Sequence, residues 1–198
     1  MTGPERKAQI VDVVLRLVHE HGVEGTTTAR IARSAGVTKP TLYQYFGSRR
    51  DMLLAALDLV FDRATEAVQC SQDGDAVECL RNIGQYHTRE TKAKALRFVD
   101  PMFEFVVAPA AEGLRDKVRA GNLQIHGLLA GIVEEGKAQA RIRPDVDALR
   151  VAWRIMGFYW FEDVSTIMDL GEVVSAGVSA DMFDAILADI TTAPSVAS

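Results

Sequence analysis

Gly36-Val37-Thr38-Lys39-Pro40-Thr41-Leu42-Tyr43-Gln44-Tyr45-Phe46 is the stretch on which the reading of this chain turns. Gly36-Val37 breaks a short helix that carries Ile31, Ala32 and Ala35, and Thr38 can cap the next one. Pro40 is tolerated there because the amides of a first turn have no intrahelical partner. Ala32, Gly36 and Leu42 fall at separations of four and six. A small residue lets two helices cross closely, the glycine makes the turn, and the leucine anchors the second helix to a core. Leu42 and Phe46, four apart, face inward, which leaves Lys39, Thr41, Tyr43 and Gln44 on the outer side. A helix held at that angle can enter a major groove, about 12 Å wide. Spacing alone leaves open a helical corner with no role in DNA binding.

Helical periodicity extends outward from this stretch in both directions. Upstream, Ile10, Val13, Val14, Leu17 and Val18 make one buried stripe on a helix over about Pro4–His21, closed by Gly22 and Gly25. The threonines Thr26–Thr28 offer a cap for the second helix. Downstream, Gly47 ends the third helix and Ser48, with Asp51 three residues on, opens a long fourth one to about Cys70. Further helices are predicted at about Asp75–Thr91, Lys94–Val107, Ala111–Ala140, Asp145–Asp169 and Ala180–Ile190, with Pro101 bending the second of these or marking its first turn. Arg141–Pro144 and Gly171–Ser179 read as loops, and the tail from Thr191 as frayed. The fold class is therefore all-α. The expected organisation is a three-helix head over residues 1–47 and a larger helical body over 48–198, joined by the helix at 48–70.

The polar groups of the reading helix suit DNA. Lys39 can reach a guanine edge or a phosphate, and Thr41 can offer a methyl group to thymine or a hydroxyl to phosphate. Tyr43 and Tyr45 can hydrogen-bond phosphate, and Arg49 lies beside the amino end of the fourth helix, which favours anions. Residues 6–54 resemble the N-terminal domain of the tetracycline-repressor (TetR) family. The run Gly36–Phe46 quoted above is a more specific match than any generic helix-turn-helix spacing. The resemblance implies phosphate contacts at Thr28, Gln44, Tyr45 and Arg49, and a base-facing surface at Lys39, Pro40, Thr41 and Tyr43, with Thr38 at the head of the same helix. Arg49-Arg50 stands where lysine and glutamate are frequent, so a phosphate contact there would be forked.

The body resembles the family only in its helix pattern. In the family the last two long helices form a four-helix dimer interface, and the matching segments here are Asp145–Asp169 and Ala180–Ile190. Leu149, Trp153, Met156, Trp160, Val164 and Ile167 form a stripe that Val151, Ile155, Phe158 and Phe161 widen. A helix apolar on more than one side needs more than its own domain to cover it. The expected dimer interface is Trp160, Val164 and Ile167 from the first helix and Phe183, Ile186, Leu187 and Ile190 from the second, beside Met182. A small-molecule effector, hydrophobic or aromatic, is expected among Tyr86, Phe98, Met102, Phe105, His126, Trp153 and Tyr159, with His87, His126 or Asp100 as polar anchors. Aromatic residues and methionine at helical spacing also serve as plain core, so the residues alone do not separate lining from packing. By family behaviour such a ligand weakens DNA binding, with the fourth helix as the lever.

Charge and cysteine usage fit this picture. Net charge is −5, but residues 1–55 hold eight Lys/Arg against five Asp/Glu, whereas the remainder holds 14 against 22. A mildly basic head thus precedes an acidic body. Cys70 and Cys79 make neither a disulfide framework nor a zinc site. No signal peptide or membrane span is read, so a cytoplasmic location is expected. His19-Glu20-His21 places its histidines at i and i+2, where they point apart on a helix, and no nucleophile elbow or glycine-rich phosphate loop occurs. An enzyme is the weaker reading, no cofactor or metal is expected, and a helical adaptor without DNA binding is a third alternative.

Overall fold

The computed structural model describes residues 2–69, 75–108, 113–175 and 177–192, with the backbone alone at 90, 92–100, 173 and 175. Among the described residues are nine helices: α1 (Gly3–Gly25), α2 (Thr28–Ala35), α3 (Lys39–Tyr45), α4 (Arg49–Gln69), α5 (Ala76–Val107), α6 (Leu114–Ala138), α7 (Ala148–Ile167), α8 (Gly171–Ser175) and α9 (Val178–Ile190). No strand accompanies them, only an isolated bridge between Ile142 and Thr191. The chain forms two compact units, Met1–Arg63 with Leu96–Asn122 and Ala64–Ala95 with Leu123–Ser198.

In the first unit the boundaries follow from caps. Thr2 accepts from the Glu5 amide at 3.4 Å while its own amide donates to the Glu5 carboxylate at 2.7 Å, a reciprocal pair that opens α1. The predicted end of that helix at Gly22 is a kink, with φ 68°, after which one more turn carries the chain to Gly25. Thr27 caps α2, Thr38 caps α3, and Ser48 accepts from the Asp51 amide at 3.1 Å to start α4. Ile10, Val14, Ile31, Leu42, Met52 and Leu53 are buried in this unit.

Two predictions for the body change. The helices expected on either side of residues 92–93 are one, α5, running through Pro101. Thr91-Lys92-Ala93-Lys94 contains no breaker, and lysine and alanine favour helix. A proline inside a helix removes the one bond its missing amide would have made. The expected loop at 171–179 holds the single-turn helix α8, and α9 begins at Val178 after Gly177. In the second unit Asp147 caps α7, and Val151, Ile155, Phe158, Phe183, Leu187 and Ile190 are among its buried residues.

Candidate nucleic-acid interface and effector region

The head presents the reading helix by exhausting its apolar residues inside. Leu42 is fully buried and Phe46 nearly so, and both anchor the carboxyl half of the α3 segment. Lys39, Pro40, Tyr43 and Gln44 remain exposed, Tyr43 at 50% of its surface, while Thr41 and Tyr45 are half-buried. Gly36 has φ 66° and ψ 33°, and its amide bonds back to the carbonyls of Ala32 and Arg33. A Cβ at this position would meet nothing within 4 Å, so glycine is required by conformation and not by space. The Thr41 amide donates to the Thr38 hydroxyl at 3.3 Å, and the two hydroxyls are 2.8 Å apart, so Thr38 and Thr41 are tied to one another on the first turn. Tyr45 lies beside Gly3, and Lys7 stands 5.5 Å over the Phe46 ring, which seats the end of α3 against the start of α1.

Thr28, expected at phosphate, is half-buried on the first turn of α2. Arg49, also expected at phosphate, is half-buried at the start of α4. Its Nε donates to the Thr26 carbonyl at 2.7 Å and its guanidinium also reaches the Val23 carbonyl. The fully buried Thr26 hydroxyl donates to the Gly22 carbonyl at 2.8 Å. Arg49 thus clamps the loop between α1 and α2. Its forked guanidinium engages two backbone acceptors.

The candidate effector residues are divided between the two units. Met102 and Phe105 belong to the first unit, where Phe105 is fully buried. The side chains of Phe98 and Asp100 lie outside the described residues. In the second unit Tyr86 is exposed beneath the Arg89 guanidinium, 5.4 Å from its ring centre. Buried His126 shares a 2.9 Å hydrogen bond between its Nε2 and the Leu149 carbonyl and packs on half-exposed Trp153. Tyr159 is buried, with its ring stacked on His87 at 4.1 Å.

Around that stack is a polar network the sequence reading passed over. Glu162, 4% exposed on an otherwise apolar face of α7, takes His87 Nδ1 at 2.9 Å on one oxygen and the Thr88 hydroxyl at 2.8 Å on the other. Ser179 bonds the same carboxylate. His87 Nε2 stands 3.5 Å from Asp163, and the Thr91 hydroxyl is 3.4 Å from the same oxygen. Burial works to raise the Glu162 carboxyl, but the bonds from His87, Ser179 and Thr88, with the pull of His87, hold it below the ordinary value. Asp163 goes the other way: burial, only partly offset by His87 and Thr91, pushes it up to about 6. Burial and the charge of Glu162 push the Tyr159 hydroxyl upward, and it has no hydrogen-bond partner among the described residues. The signal for this network was two adjacent carboxylates inside an apolar helix, which a protein buries only with partners.

Among the predicted interface residues, Trp160, Val164 and Ile167 are exposed on α7, next to Leu149, Trp153 and Met168. Phe183, Ile186, Leu187 and Ile190 turn inward and are buried in their own unit, so they have no surface left for a partner. The reason is that α9 has a single apolar side and its own unit uses it. Met182 and Val178 are the exposed apolar residues of that helix.

Residues 10–56 match the family described as bacterial regulatory proteins, tetR family. Over these residues the chain is similar to that family. A curated relative, the HTH-type transcriptional regulator TtgR of Pseudomonas putida, is 32% identical over 82 residues, 40% of this chain and 39% of that protein. The chain therefore aligns with only about two fifths of that relative. Solved structures extend the likeness of fold to the whole chain. A TetR transcriptional regulator from Chloroflexus aurantiacus superposes with a TM-score of 0.78 at 21% identity, covering 96% of this chain and 98% of the other. AibR, solved with isovaleryl coenzyme A and operator DNA, superposes at 0.66 with 20% identity, covering 94% and 98%. Among the described residues no helix is long and apolar enough to cross a membrane, and no cluster of three or more His, Cys, Asp or Glu side chains is placed to hold a metal ion.

Proposed function

We propose that this chain is a homodimeric, sequence-specific DNA-binding regulator, a repressor that a small amphipathic or hydrophobic effector releases from a palindromic operator. The observation that carries the reading is the outer side of α3. Lys39, Pro40, Tyr43 and Gln44 are left to solvent by a seven-residue helix whose Leu42, with Phe46 just beyond it, is locked in the core. A helix that short is held by its anchors and serves to present side chains. In this reading Lys39, Thr41 and Tyr43 meet base edges, with Pro40 against the groove wall. Thr28, Thr38, Gln44 and Tyr45 meet phosphates, and Arg49 positions the loop that carries Thr28. The head is residues 1–47, the body 48–198, and α4 transmits between them. The protein works in the cytoplasm and carries out no reaction.

The exposed stripe Trp153, Trp160, Val164 and Ile167 supports dimerisation through α7, with Met182 and Val178 contributed by α9. A two-fold dimer reads two half-sites, so the operator is an inverted repeat. AibR, which shares the fold, was solved with both an acyl-coenzyme A and operator DNA. That pairing supports a ligand-responsive mechanism in which effector and DNA favour different states of the dimer. The test is capture of genomic fragments by the purified protein, followed by sequencing. Recovery of one inverted repeat, with affinity falling steeply as salt rises, carries the reading. No enrichment at low salt from folded dimer overturns it. Trp160→Glu is expected to give monomers in sedimentation and to abolish binding to the full repeat. Persisting dimers would move the interface off α7.

A further inference from the structure

None of the aromatic residues expected to hold an effector lines a cavity in the second unit between α5 and α9. That cavity is an open groove of about 490 Å³ between α5 and α9, within the size range of small-molecule sites. The two helices touch at its base, where a Cβ on Gly84 would come within 2.6 Å of the Phe183 ring. Glycine at 84 is what allows this crossing. The floor is therefore apolar, formed by Phe183 and bare helix backbone.

The rim has a different character. Arg81, Gln85 and Arg89 follow one another at four-residue steps along one side of α5, so the two arginines are about 12 Å apart along the axis. Arg81 is already paired with Asp184 across the groove at 2.5 Å. Arg89 stacks over Tyr86 and pairs with no carboxylate among the described residues. One end of an apolar trough thus carries a guanidinium that no carboxylate among the described residues pairs with, the group best matched to a carboxylate or phosphate.

The inner wall connects this groove to the network on α7. Thr88 and Ser179 line the groove, and both hydrogen-bond Glu162. The hydroxyls a bound molecule would touch are the ones that hold the buried carboxylate of the helix whose outer side is the proposed interface.

Resting on the reading of the chain as an effector-responsive regulator, we propose that the α5–α9 groove is the effector site and takes an amphipathic anion. An unbranched acyl chain lies over Phe183, and its acidic head pairs with Arg89. Binding draws on Thr88 and Ser179, shifts their bonds to Glu162, and is read out through α7.

The experiment is calorimetric titration of the full-length dimer with decanoate, decanoyl-coenzyme A and decylamine, beside operator binding in the same preparation. The expected result is binding of at least one of the two anions, with saturation changing operator affinity at least tenfold, and no binding of the amine. Preference for decanoate assigns the head as a free carboxylate, and preference for the thioester assigns it as a phosphate. Arg89→Ala, at an exposed position, should weaken the anion at least tenfold. Ala180→Trp, on the wall of the trough, should fill it and abolish binding of the anion. If neither anion binds, if the amine binds as well, or if both variants bind like the parent, the groove is not the site. Operator binding that survives those results leaves the regulator reading standing. Absence of operator binding altogether would overturn that reading and this one with it.

Discussion

The head and the second unit are both helical, yet they use polar residues in opposite ways. In the head the polar groups are at ends and on the outside: Thr2, Thr27, Thr38 and Ser48 sit at helix starts, and Lys39, Tyr43 and Gln44 face solvent. In the second unit they are in the middle and inside, with Glu162 buried and Asp163 half-buried among His87, Thr88, Thr91 and Ser179. End caps are local contacts that each contribute about 1 kcal/mol and can be lost singly. A buried network is collective, since each member is satisfied only while the others stay. The first arrangement suits a rigid reader and the second suits an element with two states.

The sharpest way to break this contrast is at Glu162. Glu162→Ala removes an acceptor of three side chains and leaves His87 facing Asp163 without its stronger partner. Leaving buried hydrogen-bond donors without their acceptor costs about 1–3 kcal/mol. We expect the variant to lose that much in urea denaturation, or to unfold, and Glu162→Gln to retain part of the difference. A loss below about 1 kcal/mol would mean that the network is decorative.

Asp163 probes the same network without dismantling it. Its pKa in the folded protein, about 6, lies above the ordinary value of 3.8, so the folded state holds this proton more tightly than the unfolded chain. Its contribution is complete below pH 3.8 and is lost as pH rises through 6. Glu162, with a lowered pKa, contributes in the opposite sense and is weakened by acid. Asp163→Asn should therefore match the parent near pH 4 and exceed it near pH 7.5, by up to about 3 kcal/mol. Denaturation of both proteins at the two pH values checks this. Equal stabilities at both would remove the Asp163 carboxyl from the account.

The same contrast explains what could be read in advance. Gly36, Leu42, Phe46 and the caps at Thr38 and Ser48 act on neighbours within six residues, so their spacing in the chain is their spacing in the head. The outer side of α3 followed by subtraction. The network on α7 joins residues 74 and 75 positions apart, and nothing in the local pattern links His87 or Thr88 to Glu162. Phe183, Ile186 and Leu187 looked like an interface because an apolar stripe does not say which surface covers it. Arg49 was placed at phosphate by its position after Ser48, while its bonds to the carbonyls of Val23 and Thr26 depend on a loop more than twenty residues upstream.

Tyr43 tests whether the reader and the body are separable. The ring is half-exposed and does not contribute to the core, so Tyr43→Ala should leave thermal unfolding unchanged. Specific operator binding should fall by about ten- to a hundredfold, the scale of one base-reading contact, while non-specific binding changes little. Anisotropy titrations against operator and scrambled DNA give both numbers. An equal loss on both sequences would make Tyr43 a phosphate contact.

The smallest effect is expected at Thr38, and it separates two roles that one residue combines. The Thr38 hydroxyl accepts the Thr41 amide and also meets the Thr41 hydroxyl, so it both starts α3 and orients a side chain proposed to face DNA. Thr38→Ala loses the cap, worth about 1 kcal/mol, and releases Thr41. Thr38→Ser keeps the cap and removes only a methyl group. If Thr38 is a cap alone, the alanine variant is less stable by that amount and both variants bind operator like the parent. If its hydroxyl also fixes Thr41 for a base, the alanine variant loses affinity beyond its small stability change and serine restores it. Loss with serine as well would place the threonine methyl group at the DNA, because it is all that serine lacks.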